Sequence, residues 1–200
     1  MSWNERYAID EWLFGTQPSE FLIAHKNLFI PGQKVLAIGD GEGRNGVWLA
    51  KQGLDVTTLD IAENAVAKSL RLARRENVKL KALCQDIVEW DWPSQYFDAV
   101  VSIFVHLPPS ERHRVNHCII KSLKPSGLFL LEAYHKKQID YGTAGPRDSE
   151  MLYDEAELIS EFSLLETLHL STQETQIFNH GGPDTRGCSV QYAGRRLVIN

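Results

Sequence analysis

Four glycines, Gly39, Gly41, Gly43 and Gly46, follow the apolar run Lys34 to Ile38, and Asp60 closes the next apolar run. Glycine lets a backbone turn sharply and approach a ligand that any Cβ would push away. A carboxylate about 20 residues further on is where a nucleoside's ribose hydroxyls are held. Together they point to a nucleoside-bearing cofactor. Two more groups could do chemistry: Asp86, in Gln85-Asp86-Ile87, and His106, which follows Ser102 and Phe104 at the end of a fourth apolar run. An imidazole takes up a proton near neutral pH and can serve as a general base, although a lone histidine at a strand end is also a common structural residue.

A dinucleotide fingerprint, Gly-x-Gly-x-x-Gly, counted from Gly39 puts Arg44 at the third glycine. Counted from Gly41 the letters fit, through Gly43 and Gly46, but the strand then ends two residues early.

The elements that must position these groups alternate. Strands are expected at Lys34 to Gly39, Leu54 to Leu59, Leu80 to Gln85, Phe97 to Phe104 and Gly127 to Ala133, and helices at Arg44 to Gln52, Ala62 to Asn77 and Ser110 to Leu123. Alternation of this kind predicts an α/β fold with a mostly parallel sheet and helices on both faces. Lys124-Pro125-Ser126-Gly127 reads as a turn. After an irregular stretch, 138–149, a helix should open at Asp154, which has a capping-box partner in Glu157. Two strand-like runs, Leu164 to Phe178 and Ser189 to Ile199, flank the loop 179–184 and predict a C-terminal hairpin.

With 200 residues and 43% apolar content, one domain with one large core is expected. No run reaches the roughly 18 apolar residues of a membrane span, and the start carries no basic flank before an apolar stretch. We therefore expect a cytoplasmic protein without a membrane partner. The charge of −5 argues against a nucleic-acid partner, and the basic run Lys68, Arg71, Arg74, Arg75 reads as a solvated helix face. Cys84, Cys118 and Cys188 suggest neither disulfides nor a metal site, and are expected as buried free thiols.

The spacing Gly39-x-Gly41-x-Gly43 resembles motif I of the class I S-adenosylmethionine (SAM) dependent methyltransferases, and the resemblance extends over nearly the whole chain. It implies a Rossmann-like seven-stranded fold whose last strand inserts antiparallel, SAM as cofactor and S-adenosylhomocysteine as product. Glu42-Gly43-Arg44-Asn45 and the aromatic leader Trp3 to Pro18 are similar to the tellurite-resistance and thiopurine small-molecule subgroup, in which such a leader lies over the cofactor. Here the leader could equally be an amphipathic helix packed on the core. The division implied is 1–30 as lid, 31–134 as SAM-binding core and 135–200 as acceptor-side loop, helix and hairpin.

Residue by residue, the resemblance assigns cofactor contacts to Gly39, Asp40, Gly41, Gly43, Asn45, Asp60, Ile61, Asp86, Ile87, Ser102 and Phe104. Asp60 would accept the ribose hydroxyls, although Asp60-Ile61-Ala62-Glu63 also has capping-box spacing. Asp86 would accept from the adenine amine and Ile87 pack on the ring, unless Asp86 is only a turn carboxylate. Ala37 departs from the family, which places an acid there; Asp40, Glu42 or the leader would have to replace its charge. His106 is the candidate catalytic base, and Glu132, Tyr134, His135 and Tyr141 are candidates to line an acceptor pocket. The activity implied is methyl transfer to a small molecule, a soft sulfur, selenium or tellurium nucleophile or a small oxygen or nitrogen one, by a monomer or weak homodimer. The competing readings are a protein methyltransferase, a non-catalytic SAM-binding module and a short-chain oxidoreductase.

Overall fold

Alternate residues of the first strand serve two different cores. In β1 (Lys34–Ile38), Leu36 and Ile38 pack on one side of the sheet and Val35 and Ala37 on the other, as the two-residue period of a strand requires. The computed structural model describes residues 2–142, 144–177 and 185–198.

The chain begins with two short helices, α1 (Trp3–Arg6) and α2 (Glu20–Ala24). Then β1, α3 (Arg44–Lys51), β2 (Asp55–Asp60), α4 (Glu63–Arg75), β3 (Lys81–Cys84), β4 (Phe97–Ile103), α5 (Pro109–Ser122) and β5 (Leu123–Tyr134) alternate as expected. Next come α6 (Gln138–Tyr141) and α7 (Glu155–Glu161), and then β6 (Leu165–Ile177) and β7 (Thr185–Arg196). The Asp154 carboxylate accepts from the Glu157 N–H at 2.8 Å and so caps α7. The expected loop 179–184 lies outside the described residues.

The seven strands form one sheet in the order β3-β2-β1-β4-β5-β7-β6. Pairs from β3 to β5 are parallel, and β7 runs antiparallel to both β5 and β6. On one face Val115 and Ile119 of α5 and Phe162 meet Leu36, Val100, Phe129 and Tyr192. On the other Leu22 and Leu49 meet Val35, Val56, Val101 and Leu130. Burial on both faces explains why these strands read as continuous apolar runs.

Lys124 to Gly127, expected as a turn, lies inside β5, as an irregular stretch at its start. The β4–β5 ladder jumps from Phe97 opposite Leu123 to Ala99 opposite Leu128, and Ser126 takes φ 62°. All three cysteines are free, but only Cys188 is buried; Cys118 is partly exposed and Cys84 fully so, which corrects the expectation of buried thiols. Among the described residues no helix is long and apolar enough to cross a membrane.

Candidate functional site

The carboxyl ends of β1, β2 and β4 meet at the glycine turn. Gly41 and Gly43 both have positive φ, 57° and 92°, a conformation that favours glycine. Their neighbours differ. A Cβ on Gly43 would stand 2.8 Å from the Ser69 backbone, so this glycine lets α3 close on α4. A Cβ on Gly41 would stand 2.8 Å from the Tyr7 hydroxyl. Gly39 turns the chain out of β1 beside Val105.

Asp60 binds the turn from the tip of β2. One carboxylate oxygen accepts the Gly41 N–H at 2.8 Å and the other the Ala62 N–H at 2.9 Å. The capping box is not formed, because Ala62 is the N-cap of α4; the Asn4 side chain accepts the Asn64 N–H in its first turn instead. A carboxylate offers about four acceptor sites, so each oxygen keeps a lone pair, and Asp60 is only half-buried. Burial pushes its pKa up, against the three backbone N–H groups around it. Ile61, next to it, is 58% exposed, an apolar surface beside the turn.

At the end of β3, one oxygen of Asp86 accepts the Val88 N–H at 2.8 Å, while the other accepts nothing among the described residues. Ile87 turns into the main core instead of toward the cleft, so Ile61 is the better placed to flank a flat ring.

Residues 35–127 match the family model described as a methyltransferase domain. Over that span the chain is similar to SAM-dependent methyltransferases. A Haemophilus influenzae protein named "Probable S-adenosyl-L-methionine-dependent methyltransferase TehB" is 37% identical over 93 residues, 46% of this chain and 31% of that protein. The TehB crystal structure superposes with a TM-score of 0.73 at 22% identity, over 88% of this chain and 61% of that one. The ubiquinone biosynthesis O-methyltransferase of Rickettsia akari is 27% identical over 124 residues, 61% of this chain and 48% of that protein. A structure described for the conversion of a disulfide bond into a thioacetal group during echinomycin biosynthesis covers 97% of this chain and 88% of its own, with a TM-score of 0.78 at 14% identity. The chain thus spans about half the length, or less, of these curated relatives.

Several residues expected at a cofactor turn inward. Asp40 is buried and both of its oxygens accept the Gly46 N–H at 3.1 Å. Burial lifts its pKa to about 7, so this carboxyl is a poor source of negative charge. Asn45 is buried and accepts the Ser19 N–H at 2.9 Å, which anchors the N-terminal segment. Ser102 is buried within β4, in register with Ile38 and Leu131. Phe104 remains at the strand end, with φ 56° and its ring 4.7 Å from that of Tyr134.

His106 is not free to act as a base. The Tyr134 N–H donates to Nε2 at 3.0 Å, so Nε2 is the acceptor nitrogen and Nδ1–H donates to the Phe104 carbonyl at 3.1 Å. Burial pushes its pKa down to about 4. Of the other acceptor-pocket candidates, Glu132 is buried under Ser19 at 2.6 Å and Gln191 at 2.9 Å. His135 faces Glu155 at 3.2 Å, and the Tyr141 hydroxyl donates to Glu174 at 2.9 Å. Tyr134 alone keeps its hydroxyl without a partner among the described residues, its pKa pushed up to about 12 by burial.

In the basic run of α4, one residue corrects the expected solvated face. Lys68 is buried and donates to Glu42 and to the Glu11 carbonyl, each at 2.7 Å. Arg71 donates to the Asp10 carbonyl at 2.9 Å and lies over the Trp12 ring. Lys68 thus docks the N-terminal segment instead of meeting solvent, while Arg71, Arg74 and Arg75 stay exposed as expected. The signal was present: Ala65, Lys68, Ser69 and Leu72 follow the 3-4-7 spacing of a buried helical stripe.

Proposed function

We propose that the chain transfers a methyl group from SAM to a small-molecule acceptor in the cleft between the glycine turn, Phe104, Tyr134 and the N-terminal segment. The observation that carries this reading is Asp60, fixed to the Gly41 N–H with lone pairs to spare, beside the exposed Ile61. That set fits a ribose and a purine. The glycine turn would carry the methionyl part, and Asp86, with one unused oxygen, would accept from the adenine amine. Glu42 is bound to Lys68 and Asp40 is buried, so neither replaces the acid missing at Ala37.

SAM supplies a methyl on a sulfonium already activated for displacement. The chain's residues must hold, align and exclude water, and alignment alone can supply about 7 to 11 kcal/mol. With both His106 nitrogens engaged by backbone, we infer an acceptor that is nucleophilic without a protein base, of the thiolate or reduced-chalcogen class. Three free cysteines support a reducing, cytoplasmic setting, and the charge of −5 supports an acceptor other than nucleic acid. We propose a monomer or weak homodimer, with residues 1–30 as lid, 31–134 as cofactor core and 135–200 as acceptor side. A non-catalytic SAM-binding role is the second reading, favoured by the engaged His106.

Incubation with isotopically labelled SAM and a metabolite extract, read by mass spectrometry, tests the proposal. A small methyl thioether or selenoether carrying the labelled methyl is the expected product. Cofactor binding with no labelled product would leave the non-catalytic role.

A further inference from the structure

Arg44 opens helix α3 directly after the glycine turn and Tyr134 closes β5, so both stand at the end of the sheet where the cleft lies. Neither polar end is spent on the fold. The Arg44 guanidinium donates once, to the Gln17 carbonyl at 3.3 Å, and forms no ion pair among the described residues. Most of its planar fork of N–H donors is left over. The acids whose fields reach it are engaged elsewhere: Glu132 accepts from Ser19 and Gln191, and Asp40 accepts the Gly46 N–H. Burial outweighs those fields and lowers the Arg44 pKa, so this cation has lost part of its water.

Tyr134 is fixed within reach of that field. Its ring stacks on His106 at 5.3 Å and lies 4.7 Å from the Phe104 ring, and a Cβ on Gly145 would stand 2.5 Å from it. Its hydroxyl has no hydrogen-bond partner among the described residues, and each of the two groups feels the other's charge. Both residues are half-buried, and neither polar end is sealed away from the cleft.

We infer that Arg44 and Tyr134 together read a carboxylate carried by the methyl acceptor, separate from its nucleophilic atom. The guanidinium fork matches the two oxygens of a carboxylate, and the phenol adds a further donor. As water leaves the cleft, an anion compensates a desolvated cation better than a neutral group does. The inference rests on the methyl-transfer reading above and narrows its acceptor to an anionic thiol or selenol.

The test measures kcat/KM for two pairs of thiols, mercaptoacetate against mercaptoethanol and thiosalicylate against thiophenol, in the wild type, Arg44→Met and Tyr134→Phe. Intrinsic thiol reactivity cancels when the preference within a pair is compared between enzymes. Hydrogen bonding to a charged group corresponds to about 10- to 100-fold, so Arg44→Met should lose that much preference for the carboxylate in at least one pair, and Tyr134→Phe part of it. Titration calorimetry should find S-adenosylhomocysteine affinity kept in both variants. An unchanged preference in Arg44→Met overturns the inference and leaves the methyl-transfer reading intact. A large loss of S-adenosylhomocysteine affinity in that variant also overturns it, by placing the guanidinium on the cofactor's own carboxylate. Wild type that methylates none of the four thiols overturns both readings. If Arg44→Met fails to fold, Arg44→Lys, which keeps the charge and loses the fork, decides by the same comparison.

Discussion

The Lys68 ammonium and the Glu42 carboxylate stand 2.7 Å apart, both buried, and join helix α4 to the glycine turn. The same ammonium donates to the Glu11 carbonyl, and the Phe14 N–H reaches the second Glu42 oxygen at 3.5 Å. One ion pair thus fastens the N-terminal segment, the turn and α4 together.

Removing one member leaves a buried charge alone, which costs about 3 to 5 kcal/mol. Lys68→Met should lose about that much in urea unfolding. The double variant Lys68→Met with Glu42→Leu should recover part of the loss, since neither charge is then stranded.

Asp60→Ala should weaken S-adenosylhomocysteine well over tenfold, because hydrogen bonds to a charged acceptor contribute about 1.5 to 3 kcal/mol each. Titration calorimetry reads it directly. Unchanged affinity would reduce Asp60 to a fastener of Gly41 and Ala62.

Gly43→Ala should destabilise by at least about 1 to 3 kcal/mol, since the residue would be strained at φ 92° and its Cβ would press on the Ser69 backbone. Thermal unfolding checks this.

Two buried groups give stability opposite pH slopes. The His106 pKa lies near 4 when folded and at 6.5 in its ordinary state, so the unfolded chain binds the extra proton between these values. Its contribution is complete above pH 6.5 and fades as pH falls toward 4. Asp40 lies near 7 when folded against 3.8 ordinarily, so its contribution is complete below 3.8 and fades as pH rises to 7. Asp40→Asn should therefore raise stability at pH 8, by roughly 2 kcal/mol or more, and change little at pH 4. Urea midpoints at pH 4, 6 and 8 would show it.

The alternating strands and helices were legible because each buried strand is a short apolar run with a polar helix start after it. Gly41 and Asp60 were legible as partners because a carboxylate at the tip of β2 has a fixed relation to the turn after β1. The fates of Asp40 and Asn45 were not, since nothing local says whether a short polar side chain faces a ligand or a neighbouring backbone N–H. The choice between base and structural residue at His106 was not legible for the same reason: both bonding partners of its ring come from strand ends, Phe104 and the distant Tyr134. Lys68 was misread because its charge outweighed the helical spacing that places it inside.

The position of β7 between β5 and β6 constrains how the molecule can be made. Among the described residues β6 pairs with β7 alone, so a nascent chain that has emerged from the ribosome only as far as Ile177 holds β6 without a neighbour and β5 with an open side. Strand β7 must slot between two waiting edges, and until it does, both are exposed to mispairing with other chains.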